Sequence, residues 1–339
     1  MDLSNQLKIA MDAALRAGGA ILQIYARDFE VEFKADDSPL TEADKAAHHI
    51  ICDALEDTGL PILSEESKTI AYDERKDWST YWLVDPLDGT KEFIKKNGEF
   101  TVNIALIENG RPVLGVVFAP VLGIVYCGMS NVESGTSEAW KAVDCTGKSV
   151  DEILSSSVSL FSDLRPLSSD LRPPSPDLRP STFHVSHSTI PRPLSSDLRL
   201  LRSTSHVSHS TIRVVASRSH CNDETKAFIA ELEKEGRVEL VSSGSSLKLC
   251  RVAEGSADIY PRIAPTMEWD TAAAQAVVEA AGGKVVKYDP AVPVASYFCG
   301  KLDVESGASH STPHISHLTE ALSYNKVNLL NPYFVVSRF

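Results

Sequence analysis

The sequence lacks three features that would each place it in a particular class of protein. No run of apolar residues approaches the roughly 18 that a transmembrane helix needs. The six cysteines are scattered and form no Cys-x-x-Cys pair, so we expect reduced thiols rather than a disulfide framework. The first residues carry acids and lack the basic-then-apolar layout of a secretory signal. Together these absences predict a cytoplasmic protein.

Basic residues are also in the minority. Lysine and arginine number 33 against 46 aspartates and glutamates, which gives a formal net charge of −13. This balance argues against a broad surface for the nucleic-acid backbone, so we expect no nucleic-acid partner. A small anionic ligand stays compatible with the sequence, provided that a few cations or bound metal ions act locally. The length of 339 residues and the 43% hydrophobic content fit a globular protein of about two domains.

Helical and strand-like patterns alternate along the chain. Apolar residues recur every three or four positions from residue 7 to residue 25, and a second helix opens with the capping box Thr41-x-x-Asp44. Two β-rich runs meet at Asn109-Gly110, a dipeptide typical of tight hairpins. Strands and helices alternate again in the last third of the chain. This order predicts a layered α/β arrangement.

Residues 155–212 differ from the rest of the chain in composition. They contain no Gly, Ala, Lys or Glu, and the triplet Asp-Leu-Arg recurs with starts at 163, 170, 177 and 197. Prolines in the early repeats would break a helix, so we interpret the segment as a disordered insertion. The sequence therefore predicts an N-terminal α+β domain (1–154), the insertion, and a C-terminal α/β domain (213–339) that contains a shorter insertion at 303–322.

The stretch WLVDPLDGTKEF places two carboxylates, Asp85 and Asp88, at the end of an apolar strand. Other acids also fall at the ends of predicted elements: Glu65 in SEES, Asp270 at the start of an alanine-rich helix, and Asp44 in the capping box. Taken alone, each of them is compatible with a turn or a helix cap. That explanation does not account for their shared position at element ends.

A hard divalent cation would explain the whole set. Mg²⁺ prefers carboxylate and carbonyl oxygens, which Asp85, Asp88 and the carbonyl of Leu87 could bring to one site. The immediate cluster has no His or Cys, which disfavours zinc. The backbone N–H groups of Gly89 and Thr90 would lie at a helix start, where a phosphate group binds favourably.

Three segments in this order, SEES, WLVDPLDGTKEFI and EWDTAAA, resemble the lithium-sensitive, magnesium-dependent phosphatases of the inositol monophosphatase superfamily. Longer segments, among them KADDSPLTEAD, VASRSH and SSGSSLKLCRVAEGSADIYPR, resemble the bacterial 3′(2′),5′-bisphosphate nucleotidases of that superfamily. The resemblance covers most of 1–150 and 213–300 and the closing NPYFVVS. It implies a layered α-β-α-β-α sandwich of the inositol monophosphatase or fructose-1,6-bisphosphatase type, with the active site in a cleft between its two parts.

The resemblance also implies a role for each acidic residue. Two Mg²⁺ ions are expected per site, and a third, weaker one is left open. The implied metal ligands are Glu65, Asp85, the carbonyl of Leu87, Asp88 and Asp270. Asp85 would be shared between the two ions. Asp44 and Thr90 would be catalytic, because they would orient the attacking water and help to deprotonate it.

Substrate-binding residues are implied in the same way. They are Gly89, Thr90, Ser219, His220, Ser245, Lys248 and Arg262. Lys248 and Arg262 would face the phosphate that is not transferred, and Ser219 and His220 would lie near the adenine or ribose. From the residues alone, Lys248 is equally well interpreted as a solvated helix residue and His220 as an ordinary loop histidine.

The implied reaction is hydrolysis of 3′-phosphoadenosine 5′-phosphate to AMP and phosphate, inhibited by Li⁺, which would clear a by-product of sulfate assimilation. The related 5′-phosphosulfate, which would give adenosine 5′-phosphosulfate, is a plausible second substrate. Inositol monophosphatase activity is an alternative, because the metal-binding acids cannot separate the two enzymes. A non-catalytic protein that binds metal or partners through the repeats is the alternative from another class.

The expected partner is therefore a small nucleotide. The sequence leaves open the oligomeric state and a weak peripheral association with the cytoplasmic face of the inner membrane.

Overall fold

The computed structural model describes residues 2–33, 39–67, 70–131, 134–160, 211–216, 222–298 and 320–338. The helices in these ranges are α1 (Leu3–Tyr25), α2 (Glu42–Glu56), α3 (Tyr72–Arg75), α4 (Thr90–Ile94), α5 (Val150–Ser156), α6 (Asp223–Glu235), α7 (Leu247–Ala253), α8 (Ala272–Ala280) and a 3₁₀ helix (Val294–Phe298). The strands are β1 (Val31–Phe33), β2 (Pro39–Thr41), β3 (Ile62–Ser64), β4 (Thr80–Asp88), β5 (Thr101–Glu108), β6 (Arg111–Ala119), β7 (Ile124–Asn131), β8 (Thr136–Ala142), β9 (Val158–Ser159), β10 (Ile212–Ala216), β11 (Val238–Ser242), β12 (Ile259–Arg262), β13 (Lys284–Lys287) and β14 (Phe334–Ser337).

A seven-stranded sheet has the strand order β3-β4-β5-β6-β7-β8-β9. Strands β3 and β4 are parallel, and the later neighbours pair antiparallel. Asn109 and Gly110, both at positive φ, connect β5 to β6, so the predicted hairpin is confirmed. Because β3 and β4 run in the same direction, the residues that follow them emerge at the same edge of the sheet.

Helices cover both faces of this sheet. Because successive side chains of a strand point to opposite sides, alternate residues of one strand contact different helices. Trp82 and Val84 of β4 are buried with residues of α1 and α2. Tyr81 and Leu83 are buried in a second cluster with residues of α7 and α8. The central strands are therefore apolar on both faces, which explains the nearly continuous hydrophobic runs in their sequence.

A five-stranded sheet, with the order β11-β10-β12-β14-β13, forms the next layer. Phe334 and Val336 of β14 belong to the same buried cluster as α8. Their neighbour Val335 is buried instead with Phe228 and Leu232 of α6. The layers α1/α2, seven-stranded sheet, α7/α8, five-stranded sheet and α6 confirm the predicted α-β-α-β-α sandwich.

Two glycines allow α8 to lie directly on the seven-stranded sheet. A Cβ atom at Gly115 of β6 would overlap the backbone oxygen of Ala273, and one at Gly128 of β7 would lie 2.6 Å from Cα of Val277. Real Cβ atoms do not approach backbone this closely, so only glycine fits at both positions. The close packing fixes the position of α8, and with it the acidic residue that precedes the helix.

Several elements differ from their predicted form. Strand β4 continues past Val84 to Asp88, with a register shift between its pairs Asp85–Asn103 and Asp88–Thr101. The predicted bend is thus a bulge inside a paired strand. Asp270 is not at the predicted helix start, because α8 begins at Ala272 after the N-cap Thr271. Strand β8 and helices α3 and α5 were not predicted.

The edges of the predicted insertion are ordered. Helix α5 extends to Ser156, β9 pairs with β8, and β10 begins at Ile212. The predictions for 161–210, for Ser219 and His220, and for most of 303–322 lie outside the described residues. All described residues belong to one compact unit, and the division into domains stays a prediction. Among the described residues, no helix has both the length and the apolar character needed to cross a membrane.

Candidate active site

Three acidic residues meet at the ends of elements from both halves of the chain, and a fourth, Asp88, lies beside them. Glu65 directly follows β3, and Asp85 lies near the end of the neighbouring strand β4. Asp270 precedes α8, which packs on the same sheet. Carboxylate oxygens of these three residues all lie within 4.8 Å of one another. Asp88 adds a further charge, since it raises the pKa of both Asp85 and Asp270.

Asp85 lies at the centre of this cluster. The residue is buried, and its Oδ1 accepts a hydrogen bond of 3.0 Å from the amide of Leu87. Its Oδ2 is buried without a hydrogen-bond partner among the described residues. Burial, followed by the charges of Glu65 and Asp88, raises the pKa of Asp85 well above its usual range. A buried carboxylate oxygen surrounded by other acids is destabilising unless a cation balances the charge.

The oxygen-only donor set fits a hard divalent cation. No His or Cys belongs to the group of carboxylates identified among the described residues, and a cation could satisfy the Asp85 oxygen that has no hydrogen-bond partner there. The structure thus brings together Glu65, Asp85 and Asp270, as the sequence predicted. The cluster could hold a metal ion.

Asp88 is bound differently from the other predicted ligands. Its Oδ2 accepts a hydrogen bond of 2.6 Å from the amide of Ser246, at the start of α7. Its backbone carbonyl lies 2.9 Å from the hydroxyl of Ser245. Burial raises the pKa of Asp88 to about 6, against the opposite influence of Lys248 and the Ser246 amide. Ser246 therefore holds the Asp88 carboxylate, and Ser245 holds its backbone carbonyl, at the edge of the cluster.

Asp270 does not cap α8. Its Oδ2 instead accepts a hydrogen bond of 2.8 Å from the amide of Met267, which closes a turn before the helix. Burial and then the charge of Asp88 raise the pKa of Asp270 to about 8, while Met267 and Arg262 act in the opposite direction. The carboxylate is thus aimed at the acidic cluster rather than at the helix it precedes.

Asp44 and Thr90, the predicted catalytic residues, lie side by side. The Thr90 hydroxyl is 3.3 Å from Oδ1 of Asp44 and 3.5 Å from the carbonyl of Leu87. Oδ2 of Asp44 accepts hydrogen bonds from the amide and the hydroxyl of Thr41, so the predicted capping box is confirmed. Burial raises the pKa of Asp44 to about 6, although these bonds from Thr41 oppose the shift.

Gly89 makes the turn between Asp88 and α4 possible. Its φ of 91° is left-handed, and a Cβ atom there would overlap the hydroxyl of Ser245. Both constraints exclude a side chain, which explains the Asp-Gly-Thr order. The role of Gly89 and Thr90 in binding phosphate stays a prediction.

Lys248 and Arg262 line one small cavity of about 70 Å³ together with Asp88, Asp270 and Thr266. Lys248 lies in the first turn of α7 and is partly buried, so it is not a fully solvated helix residue. Arg262 ends β12, and its Nη2 donates a hydrogen bond of 2.6 Å to the carbonyl of Pro265. Ser245 also lines this cavity.

Three residues around the site were not predicted from the sequence. Ser246 holds Asp88 through its amide, and its hydroxyl lies 2.7 Å from Oδ1 of Asn103. Glu268 is fully buried two positions before Asp270 and binds Lys326 at 2.7 Å. Thr266 lines the cavity. Each of the three residues lies close in sequence to a predicted motif, and this proximity is the only signal that could have identified it. The residues that they contact are distant in the chain.

The chain is similar to known proteins of one enzyme family. Residues 2–323 match the model of the inositol monophosphatase family. The chain is 41% identical over 288 residues to the 3′(2′),5′-bisphosphate nucleotidase CysQ of Salmonella typhimurium, covering 82% of this chain and 91% of the relative. The corresponding protein of Escherichia coli K12 is 40% identical with the same coverage.

Solved structures show the same relationship. The crystal structure of CysQ from Bacteroides thetaiotaomicron, a bacterial member of the inositol monophosphatase family, matches with a TM-score of 0.66 and 39% identity, covering 99% of this chain and 98% of the other. An IMPase from Thermotoga maritima shares the fold with a TM-score of 0.55 at 19% identity, over 98% and 92% of the two chains. Given these matches, the chain belongs to the inositol monophosphatase family, whose enzymes depend on metal ions.

Proposed function

We propose that this chain is a metal-dependent 3′(2′),5′-bisphosphate nucleotidase. It would hydrolyse 3′-phosphoadenosine 5′-phosphate to AMP and phosphate, with the 5′-phosphosulfate as a second substrate. The observation that carries the proposal is the convergence of Glu65, Asp85 and Asp270 within 4.8 Å, where one carboxylate oxygen of Asp85 is buried with no partner in the described part of the chain. Relatives at 40–41% identity over most of the chain are named as nucleotidases of this type.

The cation would be Mg²⁺, with two ions per site and a third, weaker one left open. The residues that would hold them are Glu65, Asp85, the Leu87 carbonyl, Asp88 and Asp270. Divalent cations at such a site lower the pKa of a bound water and neutralise charge on the phosphate and the leaving oxygen. Asp85 supports this role, because its Oδ2 has no hydrogen-bond partner among the described residues and its raised pKa shows that a charge there is unfavourable without a balancing cation.

Asp44 and Thr90 would position the attacking water. The Thr90 hydroxyl lies between the Asp44 carboxylate and the Leu87 carbonyl. A hydroxyl can donate one hydrogen bond and accept another, so Thr90 would accept from the water while donating to Asp44. Asp44 would then receive the proton through Thr90. The two bonds from Thr41 hold the Asp44 carboxylate in one orientation for this transfer.

The second phosphate of the substrate would bind at Lys248 and Arg262. Both line the cavity that also contains Asp88 and Asp270, so a phosphate bound there would lie next to the reacting group. A second phosphate distinguishes a nucleoside bisphosphate from inositol monophosphate. This pair of cations therefore favours the nucleotide over the alternative substrate. Roles for Ser219 and His220 near the adenine or ribose stay predictions.

A comparison of substrates tests the proposal. We expect phosphate release from adenosine 3′,5′-bisphosphate with Mg²⁺, little release without it, and inhibition by Li⁺. Inositol 1-phosphate should react with a much lower kcat/KM. Faster hydrolysis of inositol 1-phosphate would reject the nucleotidase assignment, and no release from either compound would favour a non-catalytic protein. The predicted cytoplasmic location stays untested, and nothing in the described ranges supports the membrane association that the sequence left open.

A further inference from the structure

Two residues that line the cavity beside Asp270 each have one buried polar atom without a hydrogen-bond partner among the described residues. The two atoms are the Thr266 hydroxyl oxygen and Nε of Arg262. Both residues line the same cavity of about 70 Å³. Buried polar groups are nearly always satisfied in folded proteins, so their partner here is expected to be a ligand or a water.

The chemistry of the cavity favours an anion with several oxygen acceptors. Lys248 and Arg262 supply N–H donors, and Thr266 supplies an O–H donor. The carboxylates in the lining, Asp88 and Asp270, are the ones that the proposed function assigns to metal ions. Once these two charges are balanced, the remaining groups are donors. A phosphate matches this set, because its oxygens accept hydrogen bonds from all three residues.

The backbone holds Thr266 in place. Its carbonyl accepts a hydrogen bond of 2.8 Å from the amide of Asn331, and the next residue, Met267, pairs with Leu330 in an isolated β-bridge. The Met267 amide also binds Asp270, so Thr266 belongs to the same fixed turn as that carboxylate. A hydroxyl held this way can discriminate between ligands with little loss of conformational freedom on binding.

We propose that the Thr266 hydroxyl donates a hydrogen bond to the phosphate that is not hydrolysed, beside Arg262, and is a specificity-determining residue for bisphosphorylated nucleotides. This inference rests on the proposed function, because it assigns a second phosphate to the cavity. It adds a residue to the contacts predicted from the sequence, and it explains both unpaired atoms through one ligand group.

The test compares adenosine 3′,5′-bisphosphate with 3′-AMP, which carries the phosphate to be cleaved but lacks the other. Thr266→Val removes the hydroxyl and keeps the shape of the side chain. We expect the ratio of kcat/KM for the bisphosphate over 3′-AMP to fall about tenfold, the effect of one lost hydrogen bond to a charged group. Thr266→Ser, which retains the hydroxyl, should restore a ratio close to that of the wild type.

Thr225→Val is the matched control, because Thr225 is also largely buried but lies in α6, away from the cavity. It should leave the ratio unchanged. If Thr266→Val loses kcat/KM equally on both substrates, or on neither, the inference is wrong. The proposed function still holds in that case, provided that the wild type hydrolyses the bisphosphate. Failure of the wild type to hydrolyse the bisphosphate would overturn both. If Thr266→Val does not fold, Thr266→Ala gives the same readout.

Discussion

The hydroxyl of Thr90 lies 3.3 Å from Oδ1 of Asp44, although 46 positions separate the two residues in the sequence. One residue opens α4 and the other lies in the first turn of α2, so the contact joins two helix starts at the edge of the acidic cluster. Both residues also keep a second polar contact, Asp44 with Thr41 and Thr90 with the Leu87 carbonyl. The pair is thus held in a chain of hydrogen bonds that ends beside the proposed metal site.

This relationship predicts the effect of removing the hydroxyl. We expect Thr90→Val to lower kcat by about a hundredfold, since positioned proton transfer contributes on that order. Thr90→Ser keeps the hydroxyl and should retain most of the activity. Steady-state kinetics with saturating Mg²⁺ measure both variants, and circular dichroism checks the fold. Wild-type kcat in Thr90→Val would show that the hydroxyl does not take part.

We expect Asp85 to be required for turnover and to lower the stability of the protein when no metal is bound. Asp85→Asn replaces a buried charge that lies near Glu65 and Asp270 with a neutral group of the same shape. We expect this variant to lose turnover and to unfold at a higher temperature than wild type when both are free of metal, by on the order of 2–4 °C. Thermal unfolding after chelation measures the shift.

Asp12→Asn is the control for Asp85→Asn. It removes the same formal charge from an exposed residue that pairs with Arg16, whose side chain is also exposed. Its unfolding temperature should stay close to that of the wild type. A metal-free Asp85→Asn protein that is less stable than the wild type would contradict the idea of an uncompensated charge.

The stability of the metal-free protein should fall as the pH rises. Burial and the charge of Asp88 raise the pKa of Asp270 from 3.8 to about 8 in the folded protein. Between these values the folded protein holds a proton that the unfolded chain has released, so deprotonation at higher pH favours unfolding. We expect a lower unfolding temperature at pH 8 than at pH 5, and a weaker dependence in Asp270→Asn.

Addition of Mg²⁺ should counteract the loss of stability at high pH. The ion competes with protons for the same carboxylates, so its stabilising effect should be larger at pH 8 than at pH 5. Thermal unfolding with and without Mg²⁺ at the two pH values measures the difference. An equal effect of Mg²⁺ at both values would show that protons and the ion do not share these ligands.

The acidic cluster could be predicted from sequence because each acid lies in a short motif. Asp85 and Asp88 follow a recognisable strand, and Asp44 lies in a capping box that can be identified from the spacing of Thr41 and Asp44 in the sequence. The layered fold follows from alternating helical and strand-like periods. These features depend on neighbours within a few positions, which is the range in which a single sequence is informative.

Long-range contacts could not be predicted in this way. Ser246 binds Asp88 across 158 positions, and Glu268 meets Asn325 and Lys326 more than 50 positions later. The extension of β4 through Asp88 depends on its pairing with Thr101, which no local signal in Asp-Pro-Leu-Asp reveals. Proline and aspartate favour a bend, but the neighbouring strand continues the pairing and converts the bend into a bulge.

The packing of α8 links the stability of the fold to the metal site. Gly115→Ala would push a Cβ atom into the backbone of Ala273, in the first turn of α8. Backbone cannot move aside as a flexible side chain can, so we expect a loss of about 1–3 kcal/mol in the free energy of unfolding. The same displacement would move Asp270, which precedes the helix, and should weaken Mg²⁺ activation of the enzyme.

Gly19→Ala provides the matched control for Gly115→Ala. Gly19 lies within α1, and a Cβ atom there meets nothing within 4 Å. The same substitution should therefore stabilise the protein by up to about 1 kcal/mol, because alanine favours the helix more than glycine does. Urea unfolding of both variants, with Mg²⁺ titrations of activity, separates the effects. If Gly115→Ala were as stable as the wild type and needed no more Mg²⁺, α8 would not depend on this close contact for its position.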